Sequence, residues 1–185
     1  TRKESSAASD VYKRQSMFRA AQKYGLIFTP GIESYWAPDR TKHAKDIHGK
    51  SYYHLTLLAH TWEGYQSLVK QQSSAWEEGF YHKPRIDNTL LEKYHTDMTI
   101  LTGCLGSASS QAMLRALQRG DSEDDIVRAG CDVVGNYIDI VGKDHVFVEV
   151  HNHNIPEEHL ILPYQVKMAH ALAVSYTHLT LPTTP

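Results

Sequence analysis

The chain has 185 residues, 41% of them hydrophobic, which is enough for one domain with a real hydrophobic core. Its formal net charge is −2 with neutral histidines, so bulk electrostatic attraction does not predict nucleic-acid binding. With two cysteines and no run that resembles a signal peptide or a membrane span, the sequence favours a cytoplasmic protein without a disulfide or a membrane partner.

The two ends of the chain lack the sequence patterns of a folded domain that the rest of the chain shows. Residues 1–15 have neither helical nor strand periodicity, and residues 174–185 are rich in Thr and Pro after a good helical pattern. We interpret both segments as translated adapter sequence, or alternatively as disordered termini, without a function of their own. The expected domain therefore covers residues 16–173.

Within that domain, apolar patterns and turn residues predict alternating strands and helices. We expect, in chain order, a helix ending at Tyr24, a strand within 26–35, a loop over 41–50, a strand over 52–60, a helix over 61–78, a short helix over 89–95, a strand over 98–101, helices over 108–118 and 125–141, a strand over 146–150, and a helix over 157–173 that Pro163 kinks or divides. This alternation predicts an α/β fold with a mostly parallel sheet.

Three residues in or at the end of predicted strands are competent metal ligands: Glu33, His54 and Cys104. A carboxylate, an imidazole and a thiolate together suit zinc or a similar metal. The three are far apart in sequence, so spacing alone does not indicate a shared site. Glu33 could instead be a salt-bridged strand residue, His54 a hydrogen-bonded core histidine and Cys104 a small buried hydrophobe.

The run K-P-R-I-D at residues 83–87 is predicted to be a loop with two cations, made rigid by proline. Lys83 and Arg85 are possible phosphate contacts, because an arginine can bind a phosphate through two parallel hydrogen bonds. Arg85 could equally pair with Asp87 or another carboxylate and order the loop, and we favour this structural role.

A more specific signal comes from the order of several motifs. A His-containing strand is followed by an amphipathic helix, by E-G-F-Y-H-K-P-R-I-D at residues 78–87, and by L-T-G-C-L-G at residues 101–106. This order resembles the PHP (polymerase and histidinol phosphatase) domain of bacterial DNA polymerase III alpha subunits. The resemblance implies a partial, distorted β/α barrel, truncated at both ends, in which functional groups lie at the C-terminal ends of strands.

The resemblance also implies a ligand set. Glu33 matches the glutamate of a G-x-E-x-Y strand, His54 the histidine of the next strand, and Cys104 the cysteine of S/T-G-C, all of them ligands in metal-retaining members. Zinc or manganese is the expected metal. The family's H-x-H, T-D-H-G and N-D-x-H motifs are expected outside residues 17–173, so this chain would hold an incomplete site.

The H-N-H run at residues 151–153 follows the strand V-F-V-E-V. Because residues i and i+2 of a strand share a face, His151 and His153 imitate a metal-binding H-x-H pair. The family's E-x-x-x-H-G-L-P-E turn is the better match, with Asn154 in the glycine position, where a left-handed backbone is tolerated. We therefore favour a structural turn.

The implied function is that of a fragment of a replicative DNA-directed DNA polymerase, with magnesium in a polymerase domain elsewhere in the parent. The expected partners are DNA, deoxynucleotides, a proofreading exonuclease subunit and a sliding clamp. The PHP domain would be a metal-dependent phosphoesterase resembling a 3′–5′ exonuclease, or a scaffold, and the fragment alone would be inactive. A stand-alone phosphoesterase acting on small monoesters is the alternative, against which the E-G-F-Y-x-K-P-R-x-D block argues.

Overall fold

The computed structural model describes residues 6–180 and divides the chain into two units, Thr1–Pro30 and Gly31–Pro185. The first unit contains helix α1 (Ser6–Lys23), which ends before Gly25 at a positive φ of 64°. Residues 6–15, predicted to be adapter sequence or a disordered leader, lie in this helix, in which Ala, Lys, Arg and Gln favour helical backbone even without an apolar stripe. Whether these residues are foreign to the domain stays a prediction.

The second unit contains seven strands and five α-helices among its described residues. In chain order they are β1 (Gly31–Trp36), β2 (Tyr53–Ala59), α2 (Trp62–Glu77), β3 (Phe80–Tyr81), β4 (Lys83–Ile86), α3 (Asn88–Lys93), β5 (Met98–Leu101), α4 (Ala108–Arg119), α5 (Glu123–Val141), β6 (Val146–Asn152), α6 (Pro156–Leu172) and β7 (Ser175–Thr180).

Side-chain caps fix where several helices begin. The Thr61 hydroxyl accepts a hydrogen bond from the Gly64 N–H at 3.1 Å, and the Asp87 carboxylate accepts one from the Leu90 N–H at 3.0 Å. Helix α6 is continuous through Pro163, so the alternative of two separate helices is wrong. Strand β7 lies within the segment predicted to be adapter sequence or a disordered tail; it pairs with β6, and its Thr and Tyr residues favour a strand.

The strands form an open sheet in the order β3-β4-β1-β2-β5-β6-β7, and no closed barrel is present among the described residues. Strand β1 is parallel to β4, and β5, β6 and β7 are parallel to one another. The expectation of a mostly parallel sheet is wrong for β2, which is antiparallel to both of its neighbours, and for β3, which forms a hairpin with β4. The architecture is that of a partial barrel.

The hydrophobic core lies on one face of this sheet. Alternate side chains of β2 are buried there, and β5 and β6 contribute in the same way to a core completed by α2, α4, α5 and α6. The opposite face carries the remaining alternate residues of each strand, including Glu33, His54, Thr56 and Glu149. None of the described helices is long and apolar enough to cross a membrane.

Candidate metal centre

The reversed direction of β2 places His54 beside the other two candidate ligands. In the register of β1 and β2, Tyr35 is opposite His54 and Glu33 is opposite Thr56. Because β2 runs against β5, its first residues lie next to the C-terminal end of β5, from which the chain continues to Cys104. His54, near the start of β2, therefore lies at the same edge of the sheet as Cys104, which follows the end of β5.

The three predicted ligands converge at that edge. His54 Nδ1 lies 3.3 Å from Cys104 Sγ and 3.5 Å from Glu33 Oε1. One ligand atom from each residue can be chosen so that all three lie within 4.8 Å of one another. Glu33 is exposed, while His54 and Cys104 are half-buried, so an ion from solvent can reach the cluster.

Two glycines make room for this approach. Gly103 has a φ of +88°, and a Cβ there would meet the His54 carbonyl oxygen at 3.0 Å. A Cβ on Gly106 would meet His54 Nδ1 at 3.2 Å, and the Gly106 N–H donates a hydrogen bond to Cys104 Sγ at 3.3 Å. The loop after β5 can wrap around the imidazole because these positions carry no side chain.

The electrostatic environment of Cys104 favours a cation. Burial raises the pKa of the Cys104 thiol, and the charges of Glu33 and Glu149 raise it further, although the hydrogen bond from Gly106 acts in the opposite direction. Without a cation the thiol is therefore protonated at neutral pH. A divalent ion reverses that preference, because a coordinating thiol is deprotonated by the metal.

Aromatic side chains line one side of the cluster. The ring of Tyr52 stacks on His54 with the centroids 6.1 Å apart, and Tyr35 contacts Tyr52 edge to face at 4.7 Å. Lys83 is exposed, and its Nζ lies 5.2 Å from the centroid of the Tyr35 ring. Tyr35 shares its face of β1 with Glu33, so the Lys83 ammonium lies on the side of the sheet that carries the ligands.

Arg85 has a structural environment. It is only 1% exposed, and its guanidinium donates hydrogen bonds to four backbone carbonyls, which belong to Gly79, Ser51, Arg40 and Lys42. The alternative of a pair with Asp87 is wrong, because that carboxylate binds Arg40 at 3.0 Å instead. The prediction of a loop is wrong for residues 83–86, which form β4, and from this strand Arg85 directs its donors at carbonyls of the segment between β1 and β2 rather than at a phosphate.

The turn after β6 has the structure expected for residues 153–157. Asn154 has a φ of 61°, so the predicted left-handed backbone is confirmed. His153 Nδ1 lies 2.9 Å from Glu158 Oε1, and the His153 N–H donates to Glu158 Oε2 at 2.7 Å. Burial alone would raise the pKa of Glu158, but these hydrogen bonds lower it on balance. His153 therefore belongs to the turn that opens α6.

Sequence reasoning missed Glu149 as a functional candidate. This residue is buried on the ligand side of β6, and its Oε2 accepts a hydrogen bond from the Thr56 hydroxyl at 3.4 Å. The available signals were an acidic residue between two valines, a position that is costly unless the charge has partners, and the glutamate of the E-x-x-x-H turn motif.

Comparison with known proteins identifies relatives of this chain. The model of the PHP domain family matches residues 7–153. The chain is 35% identical over 152 residues to the DNA polymerase III subunit alpha of Thermus aquaticus, 37% over 134 residues to that of Deinococcus radiodurans, and 32% over 154 residues to that of Treponema pallidum. These matches cover 80%, 69% and 81% of this chain but 12%, 9% and 12% of the relatives.

Proposed function

Because this chain belongs to the PHP domain family, we propose that it is a segment of the alpha subunit of a bacterial DNA polymerase III. The chain spans about a tenth of the length of relatives that carry this name. In this proposal the parent is a cytoplasmic, replicative DNA-directed DNA polymerase that uses DNA, deoxynucleotides and magnesium. Its proofreading exonuclease subunit and sliding clamp would be partners of the whole protein.

For the domain itself, we propose a metal-dependent phosphoesterase site. The observation that carries this proposal is the convergence of Glu33, His54 and Cys104, with ligand atoms within 4.8 Å of one another. An oxygen, a nitrogen and a sulfur donor fit zinc, and manganese is the second choice because it accepts carboxylate and imidazole ligands. Three protein ligands also leave a position for water or substrate, as in catalytic zinc sites.

A divalent ion bound there would lower the pKa of its water and polarise a phosphoryl oxygen. The chain's own residues would position the reactants. Tyr52 stacks on His54 and holds the imidazole in its orientation. Lys83, exposed above Tyr35, is the residue to which we assign contact with a phosphate oxygen, because its ammonium provides a mobile positive charge on the ligand side of β1.

Cobalt binding tests the site in the 185-residue chain. Cobalt(II) reports a thiolate ligand through a charge-transfer absorption, and Cys104→Ser is expected to abolish this band. Cys131→Ser is the matched control, because Cys131 lies in α5 and is also half-buried. A band that survives in Cys104→Ser, or one that Cys131→Ser abolishes as well, would refute the proposed centre.

The polymerase assignment is tested separately, by sequencing the source DNA outward from both ends of this reading frame. We expect the frame to continue into H-x-H and T-D-H-G motifs on one side and a long polymerase region on the other. A frame confined to the length of this chain would refute the assignment to a polymerase. A frame that completes only the PHP motifs would instead favour a stand-alone phosphoesterase.

A further inference from the structure

A cavity of about 540 Å³ lies under the loop between β1 and β2. Trp36 and Tyr53 line its base, and helices α4 and α5 contribute Arg115 and Val133. Tyr53 is next to His54 on β2, so the two side chains lie on opposite faces of the sheet. The cavity is therefore on the helix-bearing side of the sheet, and the candidate metal ligands are on the other. Its volume is typical of small-molecule sites, which occupy about 300–1,000 Å³.

The lining of this cavity is positively charged, although the chain as a whole is not. It contains five Lys or Arg residues and two Asp, a net charge of +3 with neutral histidines, whereas the whole chain carries −2. Both carboxylates have partners in the protein: Asp39 pairs with Lys42 at 3.2 Å, and Asp46 accepts a hydrogen bond from the Tyr53 hydroxyl at 2.5 Å. Among the described residues, four cations of the lining have no carboxylate within ion-pair distance: Lys45, Lys50, Arg85 and Arg115. The cavity therefore attracts an anion.

Arg115 is the cation best placed to bind that anion. It is half-buried on α4, and its guanidinium carbon lies over the Tyr53 ring, 5.9 Å from the centroid. The N–H donors of a guanidinium lie in its plane, so contact of its face with a ring leaves them available for two parallel hydrogen bonds to a phosphate. Arg85 differs, because backbone carbonyls accept its hydrogen bonds and only its charge acts on the cavity.

The aromatic side chains give the cavity an apolar base. Trp36 Nε1 donates a hydrogen bond to Asn88 Oδ1 at 2.8 Å, and the Tyr53 hydroxyl donates to Asp46, so the polar atoms of both aromatic side chains already have partners. Their rings, together with Val133, offer the ligand apolar surface. An inorganic ion gains nothing from such surface, whereas a flat aromatic ring is stabilised when it is buried there. A ligand that suits both parts of the cavity has an aromatic ring and a phosphate group.

We propose that this cavity binds a nucleoside monophosphate, with the base against Trp36 and Tyr53 and the phosphate at Arg115, Lys45 and Lys50. A phosphate monoester carries a charge of about −1.5 to −2 at pH 7, so it suits several unpaired cations better than a single carboxylate does. The inference goes beyond the proposed function, because neither a metal nor any residue of the candidate metal centre takes part. A nucleotide on this face of the sheet can bind whether or not the metal centre is occupied.

The test is isothermal titration calorimetry of the 185-residue chain with deoxyadenosine monophosphate, in the presence of a chelator so that no metal holds the phosphate. We expect saturable binding that weakens as the salt concentration rises. Inorganic phosphate and deoxyadenosine should both bind more weakly, because each offers only one part of the ligand. Arg115→Met should lower the affinity at least about tenfold, since it removes charge-assisted hydrogen bonds. Arg119→Met is the matched control on the same helix, because Arg119 is exposed, pairs with Asp121 and does not line the cavity.

Lys45→Met keeps the test decisive if Arg115→Met does not fold, because Lys45 is exposed; it should lower the affinity about two- to fivefold. The inference is overturned if deoxyadenosine monophosphate shows no binding up to about 1 mM, or if inorganic phosphate binds equally well. Unchanged affinity in Arg115→Met, or in Lys45→Met where Arg115→Met is unfolded, also overturns it. Affinity that is lost in Lys83→Met but kept in Arg115→Met would place the nucleotide on the opposite face. The cobalt absorption of Cys104→Ser tests the metal centre separately, so either proposal can fail alone.

Discussion

Replacing Arg85 with methionine tests whether this residue orders the loop between β1 and β2. Methionine is similar in length but has no donor, so the substitution leaves four backbone carbonyls without the guanidinium. Three of the hydrogen bonds are short, at 3.0 Å to Gly79, 2.7 Å to Arg40 and 2.9 Å to Lys42, and the fourth, to Ser51, is 3.4 Å. The bonds to Arg40 and Lys42 and the bond to Ser51 connect β4 to two separate parts of the segment between β1 and β2.

The expected magnitude follows from these contacts. A hydrogen bond to a charged group is worth about 1.5–3 kcal/mol, so three good bonds give an upper limit of about 9 kcal/mol. Bonds made by one group are not additive, and removing a buried charge recovers part of its desolvation cost. We therefore expect Arg85→Met to lower the free energy of unfolding by about 3–4 kcal/mol. For a chain of this length, that corresponds to a fall in Tm of about 6–16 °C.

Urea unfolding followed by circular dichroism measures this loss, with the slope m showing whether unfolding remains cooperative. Lys83→Met is the matched control, since Lys83 is exposed on the same strand and should change stability by no more than about 0.5 kcal/mol. If Arg85→Met unfolds within about 1 kcal/mol of the unaltered chain, its hydrogen bonds to the carbonyls do not order the loop. If Arg85→Met instead lowers phosphate affinity at unchanged stability, Arg85 contacts phosphate and does not order the loop.

Three further predictions concern the candidate centre and its supports. Gly103→Ala should lower the free energy of unfolding by about 1–3 kcal/mol and also weaken cobalt binding. Gly120→Ala is the control, because Gly120 has a similar φ of 79° but an added Cβ there would meet nothing within 4 Å, so only stability should change. Urea unfolding measures the first effect and cobalt titration the second. Burial and the hydrogen bond to Asp46 raise the pKa of Tyr53 from 10.0 to about 12, so its stabilising contribution is complete below pH 10 and is lost as the pH rises to 12. The Tm difference between the unaltered chain and Tyr53→Phe should therefore shrink over that range. Zinc at a hundredfold excess over its Kd should add about 2.7 kcal/mol to the free energy of unfolding, and either a chelator or Cys104→Ser should remove this gain.

The sequence predicted most elements but not the direction of β2. Alternation of strands with helices suggests parallel crossovers, and this reasoning holds for β5 and β6, between which α4 and α5 lie. Between β1 and β2, however, the residues over 37–52 form a loop without a helix. A connection without a helix permits an antiparallel return, so the length and polarity of that loop were the signal to use.

The candidate ligands were found by resemblance and not by spacing. Glu33, His54 and Cys104 are separated by 21 and 50 residues, and only the sheet register brings them to one edge. Glu149 was missed for a related reason. Its environment depends on the Thr56 hydroxyl and on the effect of its charge on Cys104 across the sheet, and neither can be read from a strand in which the adjacent residues Val148 and Val150 are apolar.

The ligand-bearing face of the sheet also explains why a cation would be bound strongly there. Along β2, β5 and β6, Leu58, Leu101 and Phe147 lie on this face behind the ligands and are half-buried and apolar, while Thr99, opposite Leu58, is buried and hydrogen-bonded to His60. Toward the edge, β2 carries Thr56 and then His54 on this face, and β6 carries Glu149 after Phe147. An apolar base of this kind lowers the local dielectric, which strengthens the attraction between carboxylates and an ion. The period-two alternation that buries the core on one side therefore also places, on the other, apolar side chains directly behind the candidate site.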